Sequence, residues 1–257
     1  NKGSHSIMEY ENFGFNGKLP QYFEKETYKE ILSARDFFLN RLSTISAEEA
    51  MVFSAFLHVL HGNRPYALSR HSHPLTPYAP TGEFEYKNVV EKIVQKVNAS
   101  YKKLEQSEIT QGFAVYGDYK DLTAKNIKAD FIICSPPFAD SIRFYMQNWM
   151  RLWLCGWEPK DYKEADDKFL DKSQEKNFDL YYSFFEMCHD VLNDNGKVIL
   201  HLGKTKSIDM GMELSKRAGP WFDIVYLAGE DVSSIEKHGI KDKGVTVEHQ
   251  YLFLKKR

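Results

Sequence analysis

The feature that most constrains the fold is a short apolar run that ends at two prolines. Residues Ala129–Cys134 form the run, and Ser135, Pro136, Pro137 and Phe138 follow it directly. Proline donates no backbone hydrogen bond and has a fixed φ angle, so a regular strand does not continue through it. The pattern predicts a buried strand that leads into a rigid corner. In open α/β sheets, ligands bind at the carboxyl ends of such strands.

Strands and helices alternate on both sides of this corner. The predicted strands are Phe113–Asp118, Asp130–Cys134, Lys197–Gly203, Phe222–Leu227 and Val247–Leu254; the predicted helices are Ser141–Trp153, Phe178–Leu192 and Met210–Ala218. A turn at residues 193–196 separates the second helix from the strand that follows it. This alternation predicts an α/β fold with a mostly parallel sheet and helices on both faces. The last two strands have no helix between them, so we expect them to pair antiparallel.

The first part of the chain has a different pattern. Apolar residues at helical spacing predict an amphipathic helix over Glu24–Leu42, and a capping box of Ser46 and Glu49 precedes a second helix that reaches Leu60. A proline-rich stretch from residue 61 to residue 83 follows, and helical spacing returns over Tyr86–Leu104. We therefore divide the chain into a helical and proline-rich region, residues 1–108, and a sheet region, residues 109–257.

Composition limits the class of protein. The chain has 257 residues, of which 42% are hydrophobic, and this is sufficient for a sizeable core. No apolar run reaches the roughly 18 residues of a membrane span, and no secretory signal is visible. The three unpaired cysteines indicate a reducing, cytoplasmic environment. The net charge of −2 means that a nucleic acid would have to be held by local basic patches.

The tetrapeptide Ser135-Pro136-Pro137-Phe138 resembles motif IV of the amino methyltransferases of DNA. These enzymes transfer a methyl group from S-adenosylmethionine to cytosine N4 or adenine N6, and a serine at the first position is more typical of the cytosine enzymes. The segments from about residue 110 to residue 257 resemble the later strands of that fold. The resemblance implies a doubly wound, Rossmann-like methyltransferase sheet with an N-terminal helical insert.

One element of the family pattern is absent. The glycine-rich cofactor loop that follows the first strand has no counterpart, since Phe13–Gly17 has no apolar strand before it and lacks the Gly-x-Gly spacing. We therefore expect a partial sheet whose first strands are missing from this sequence. An upstream segment or a second polypeptide would supply the cofactor loop.

The resemblance also implies roles for individual residues. Ser135 Oγ and the Pro136 carbonyl would accept hydrogen bonds from the target amine, Pro137 would stiffen the corner, and Phe138 would stack on the flipped base. Asp118, at the end of a predicted strand, would bind the adenine amine of the cofactor, and Ser135 would lie beside the cofactor. A plain turn-forming aspartate is the alternative for Asp118.

Basic residues supply candidate DNA contacts. Four of them lie in the proline-rich stretch, and two follow the strand Lys197–Gly203: these are Arg64, Arg70, His71, His73, Lys204 and Lys206. They would bind phosphates. A rigid structural insert is an equally supported interpretation of the first group, and a solvated loop is the commoner meaning of the second. The histidines have no cysteine nearby and no spacing that fixes a third ligand, so no metal site is predicted.

The predicted function is methylation of cytosine N4 in DNA with S-adenosylmethionine as cofactor and DNA as partner. Three alternatives stay open at this point: an adenine-N6 DNA methyltransferase, an RNA methyltransferase, and a non-catalytic DNA-binding module that has lost the cofactor loop.

Overall fold

The computed structural model describes residues 10–62, 66–72, 77–104, 110–141, 143–165, 169–233 and 245–257. By packing, the chain forms two compact units. The first consists of residues 1–112 and 145–165, and the second of residues 113–144 and 166–257. The division by role at residue 109 stays a prediction.

The described residues contain helices and strands at the following positions. The helices are α1 (Lys25–Leu39), α2 (Ala47–Val59), α3 (Val89–Leu104), α4 (Phe144–Gln147), α5 (Trp149–Leu154), α6 (Leu170–Ser173), α7 (Tyr181–Val191) and α8 (Met210–Ala218), and the strands are β1 (Ala129–Cys134), β2 (Leu192–Lys204), β3 (Phe222–Asp231) and β4 (Glu248–Lys256). Short 3-10 helices span Leu19–Tyr22, Tyr119–Lys125 and Asp161–Lys163. None of the helices in these ranges is long and apolar enough to cross a membrane.

The described elements of the first unit are helices. The capping box at the start of α2 is present: Ser46 Oγ accepts from the Glu49 N–H at 3.2 Å, and the Glu49 carboxylate accepts from the Ser46 N–H at 3.1 Å. Trp149 and Trp153 are fully buried in the core of this unit. The guanidinium of Arg35, itself buried, donates to the Trp153 carbonyl at 2.9 Å. These contacts fix α5 against α1.

A single helix over Ser141–Trp153 was the wrong prediction. The segment forms two short helices, α4 and α5, which are separated at Asn148 (φ −111°). The two ends of the segment pack in different units, because the Phe144 ring contacts Phe169 at 5.5 Å in the second unit, whereas Trp149 lies in the core of the first. Apolar spacing alone does not show which core a side chain joins.

The second unit is built on a four-stranded sheet with the order β1-β2-β4-β3. Strand β1 pairs parallel with β2, and β4 pairs antiparallel with both β2 and β3. The predicted antiparallel pairing of the last two strands is therefore confirmed, whereas the described strands form one parallel and two antiparallel pairs and not the mostly parallel sheet that was predicted. Together with the helices that follow β1 and β2, this sheet is a partial Rossmann-like α/β fold of the methyltransferase type.

The two faces of the sheet differ. Val198, Leu200 and Leu252 are buried on one face in a single cluster with side chains of α7 and α8. The other face carries a row that crosses all four strands by register: Ile133, Ile199, Phe253 and Tyr226. Ile133 is 77% exposed and Tyr226 is 62% exposed. We call these four residues the open row.

The predicted strand Phe113–Asp118 is also wrong. Residues 110–116 are irregular, and the Phe113 side chain is 78% exposed. A strand needs a hydrogen-bonding neighbour, and no strand of the described residues pairs with this segment. The predicted turn at residues 193–196 lies inside β2, where Asn195 has a φ of 64° and the register with β1 shifts. A left-handed residue therefore marks an irregularity in a strand there and does not separate the strand from α7.

Candidate functional site

The proline corner lies at the carboxyl end of β1, where the sequence places it. Pro136 is buried, Pro137 and Phe138 are half-buried, and Ser135 is exposed. The hydroxyl is thus accessible from solvent while the backbone next to it is anchored. A corner of this kind satisfies the first requirement of a site that receives a ligand from outside.

Hydrogen bonds hold the backbone of the corner. The Pro137 carbonyl accepts from Gln174 Nε2 at 3.0 Å, and Gln174 Oε1 accepts from the Tyr181 hydroxyl at 2.9 Å. Gln174 is buried, and burial raises the pKa of the Tyr181 hydroxyl well above its usual value. Tyr181 therefore stays neutral and keeps its proton for Gln174 across the physiological range. These two successive hydrogen bonds, from Tyr181 to Gln174 and from Gln174 to Pro137, hold the second proline of the corner in place.

Phe138 rests on a glycine. A Cβ atom added at Gly203 in β2 would lie 2.5 Å from Phe138 Cδ2, far inside van der Waals contact. The ring centroid of Phe138 is also 5.1 Å from that of His201 and 5.6 Å from that of His249, both edge-on. The absence of a side chain at Gly203 is therefore what allows the Phe138 ring to lie against the sheet.

Ser135 contacts the next strand. Its Oγ lies 3.4 Å from Nδ1 of His201. The His201 ring is stacked on Tyr251 of β4, with centroids 5.0 Å apart and planes at 14°. The sheet register explains the contact, because Cys134 pairs with Leu200 and the residues that follow them emerge at the same edge.

The loops that follow β1 and β2 are tied to each other. Asp140, with a φ of 58°, accepts from the hydroxyls of Thr205 and Ser207, both at 3.1 Å. The Ala139 N–H lies 3.2 Å from Sδ of Met210, at the start of α8. The corner is thus braced on both sides by elements that are remote in sequence.

Asp118 caps a short helix. Its carboxylate accepts from the Lys120 N–H at 3.0 Å, and it is the residue that precedes the 3-10 helix Tyr119–Lys125. The side chain is exposed. The structure thus gives Asp118 the local role that was its alternative interpretation, and its role as a cofactor ligand stays a prediction.

The two lysines after β2 differ in their surroundings. Lys204 Nζ lies 3.0 Å from Asp209 and 3.9 Å from Glu248. The hydrogen bond with Asp209, followed by the charges of Asp209 and Glu248, raises the pKa of Lys204. Lys206 is exposed. Of the two, Lys206 is therefore the better placed to reach a phosphate.

Arg70 and His71, the described candidate DNA contacts of the proline-rich stretch, belong to the first unit. Arg70 donates to the Gln21 carbonyl at 2.9 Å and to the Gly82 carbonyl at 3.1 Å, and its guanidinium lies 4.0 Å from the centre of the Phe84 ring. These contacts fit the structural interpretation of the insert. His71 is exposed and pairs with Thr81 in an isolated bridge. Arg64 and His73 lie outside the described residues.

Four residues of the site were not predicted from the sequence. His201, Gly203 and His249 contact the corner because strands pair, and Gln174 contacts it from the end of α6. A usable signal was the pair His201 and Gly203 near the carboxyl end of a predicted strand parallel to β1. Polar and glycine residues at that edge are expected to line the same site as the corner.

Comparison of the sequence with known protein families assigns this chain to one of them. The Eco57I restriction-modification methylase family matches residues 24–205, which is more than half of the chain. The chain belongs to this family. The Eco57I family consists of methyltransferases that use S-adenosylmethionine, and the match includes the corner of Ser135 and all of β2. A search of curated proteins found no match.

Solved structures show loose similarity. TrmN from Thermus thermophilus aligns with 65% of this chain and 34% of its own, at 16% identity and a TM-score of 0.31. A second protein of Thermus thermophilus, provisionally described as a DNA modification methylase, aligns with 55% of this chain and 52% of its own, at 15% identity and a TM-score of 0.32. The chain thus spans between about a third and a half of the length of these chains.

Proposed function

We propose that this chain carries the target-base site of an S-adenosylmethionine-dependent methyltransferase that modifies cytosine N4 in DNA. The observation that supports the proposal most strongly is the corner itself, with an exposed Ser135 hydroxyl beside the half-buried ring of Phe138. Family membership supports methyl transfer in general. The serine at the first position of the corner favours cytosine over adenine.

The proposed chemistry follows from the groups at the corner. An exocyclic amine on an aromatic base is a weak nucleophile, because its lone pair is delocalised into the ring. Ser135 Oγ and the Pro136 carbonyl accept from its two N–H bonds and stabilise the positive charge that develops on nitrogen. Phe138 stacks on the extruded base, which contributes on the order of 1–3 kcal/mol. S-adenosylmethionine supplies the methyl group when it is bound.

The described residues fit only part of that cofactor's site. Strand β1 is the terminal strand of the sheet, and no described strand pairs with its outer edge. Residues Phe131 and Ile133 of β1 are 59% and 77% exposed. Large apolar side chains beside an open strand edge favour addition of further strands. We propose that a segment or polypeptide with the glycine-rich loop covers this edge and completes the cofactor site.

DNA is the proposed nucleic-acid partner. Lys206 is the best candidate for a phosphate contact in the second unit, since its side chain is exposed and Lys204 is engaged by two carboxylates. In the first unit, Arg64, Arg70, His71 and His73 stay candidates for phosphate binding. Binding through these residues should weaken as the salt concentration rises, because each phosphate contact releases counterions.

Methylation of DNA by the chain together with its cofactor-binding half tests the proposal. Duplex DNA and labelled S-adenosylmethionine are the substrates, and nucleoside analysis identifies the product. We expect N4-methylcytosine, a loss of about 100-fold in Ser135→Ala, and a loss of about 5- to 150-fold in Phe138→Ala. Ser33→Ala, at an exposed position of α1, is the matched control and should retain full activity.

Two results would change the assignment. N6-methyladenine, or a methylated amine in structured RNA only, would move the activity to another substrate of the same reaction type. No product with any nucleic acid, in the presence of the cofactor-binding half, would leave the non-catalytic DNA-binding alternative.

A further inference from the structure

We infer that His201 is a positioning residue for Ser135: its Nδ1 accepts a hydrogen bond from the Ser135 hydroxyl, so that the lone pairs of the serine oxygen point toward the target amine. The inference rests on the proposed function of Ser135. The observation behind it is the 3.4 Å separation of Ser135 Oγ and His201 Nδ1.

The need for such a partner follows from the chemistry of a hydroxyl. Serine Oγ has one donor and two acceptor lone pairs, whereas the target amine offers two N–H donors. If the hydroxyl hydrogen pointed toward the amine, it would oppose an amine hydrogen. A neutral acceptor on the far side of Ser135 removes this conflict. Apo sites often show such hydrogen bonds slightly long, and they shorten when the substrate binds.

The imidazole is held in a fixed orientation. Its ring stacks on Tyr251, which lies directly opposite in the pairing of β2 with β4, and its centroid is 4.9 Å from that of His249. Phe138 contacts the same ring at 5.1 Å. Because three rings limit its rotation, the ring nitrogen that faces Ser135 stays in place.

The protonation state of His201 decides which way the hydrogen bond runs. A neutral ring with its proton on Nε2 accepts at Nδ1, whereas a protonated ring donates from Nδ1 and occupies a lone pair of Ser135. Among the described residues, His249 and Tyr251 on β4 are titratable groups that face the ring. The loop that follows β1 brings Ser135 and Phe138 against it. Further along β2, Lys204 is paired with Asp209 and Glu248.

Substitutions at His201 test the inference in the enzyme completed with its cofactor-binding half. His201→Leu removes the acceptor, and we expect kcat to fall about 10-fold or more with little change in KM for DNA. His201→Asn places Oδ1 near the position of Nδ1 and should restore most of the rate.

The same substitutions in a Ser135→Ala variant distinguish a positioning role of His201 from a role in packing alone. In Ser135→Ala, the substitutions at His201 should have no further effect on kcat, because the hydroxyl that they act on is gone. Thermal unfolding shows whether each variant is folded. An equal loss of kcat from His201→Leu with and without Ser135 would overturn the inference.

The tautomer of His201 can be measured without an enzyme assay, so it tests the inference on this chain alone. Long-range ¹H–¹⁵N NMR spectra of this chain, assigned with His201→Asn, report which ring nitrogen carries the proton. We expect the proton on Nε2 at pH 8 and a shifted Nδ1 resonance in Ser135→Ala. A proton on Nδ1 in the wild type would overturn the inference while the proposed function stands. Full activity of Ser135→Ala would instead remove the proposed role of Ser135.

Discussion

At the scale of single residues, the site depends on the missing side chain of Gly203 as well as on the hydroxyl of Ser135. Gly203 was not predicted to be part of the site, because a glycine inside a strand pattern has several meanings. In the structure its Cα hydrogen faces the Phe138 ring, and a Cβ there would lie 2.5 Å from Phe138 Cδ2. The sequence predicted the corner residues as part of the site, but it did not predict the residues that pack against them, such as Gly203.

Gly203→Ala should displace the Phe138 ring. We expect a loss of about 1–3 kcal/mol in the free energy of unfolding, from overpacking, and a fall of 10-fold or more in methylation. Urea denaturation and initial rates measure the two effects. Gly112→Ala is the matched control, since a Cβ there meets nothing within 4 Å, and both quantities should be unchanged. Normal activity of Gly203→Ala would mean that the observed position of Phe138 is not needed for catalysis.

At the scale of elements, the predicted bounds of a helix or strand match the structure where neighbouring residues decide the conformation. They fail where the conformation depends on pairing with a distant strand. Helix α8 matches its predicted bounds, Met210–Ala218, and α2 begins at its predicted capping box. In both, the signals that fix the element lie within a few residues of each other. The predicted strand Phe113–Asp118 is irregular because a strand also needs a partner, which its own residues cannot supply.

The start of α8 is tied to the sheet by one carboxylate. Asp209 accepts from the Met212 N–H, from Gln250 Nε2 and from Lys204 Nζ, each at 3.0 Å. Burial raises the pKa of this carboxyl, but the three hydrogen bonds together with the charge of Lys204 outweigh that effect and hold the pKa below its ordinary value. The ionised form therefore stabilises the folded state.

Asp209→Asn should lower the free energy of unfolding by about 1–2 kcal/mol at pH 7. Because the folded pKa is depressed, this contribution is complete above the unfolded pKa, about 3.9, and is lost as the pH falls through the folded value. Urea denaturation at pH 7 and near pH 3 should thus show a smaller difference from wild type at the lower pH. Asp194→Asn, at an exposed position of β2, is the control. A difference that does not vary with pH would contradict the assignment to charge.

At the scale of the whole molecule, the second unit has the form of a partial sheet. One face carries α7 and α8, and the open row on the other face consists of Ile133, Ile199, Phe253 and Tyr226. An apolar row across four strands is unusual on a surface that faces water. The glycine-rich loop is absent from the sequence, and the outer edge of β1 is open among the described strands. Both observations support the proposal that a further segment or polypeptide covers β1 and completes the cofactor site.

Ile133→Lys tests whether this surface receives the cofactor-binding half. The side chain is 77% exposed, so we expect the stability of the chain alone to change by no more than about 0.5 kcal/mol. Methylation in the presence of the other half should fall at least 10-fold, because a charge would be buried on association. Val90→Lys, at a position of α3 that is 67% exposed, is the matched control and should have no effect. Equal activity of the two variants would argue against the open row as the contact surface.

The sequence by itself determined the local features of this protein: the strand that ends at the proline corner, the capped helices, and the four residues of the corner. These depend on interactions between neighbours in the chain. Only the tertiary structure decided what surrounds the corner, because the parallel register of Cys134 with Leu200 brings Ser135 to His201, 66 positions away. A pairing shifted by one residue would turn His201 to the other face of the sheet, and no local pattern in the sequence specifies that choice.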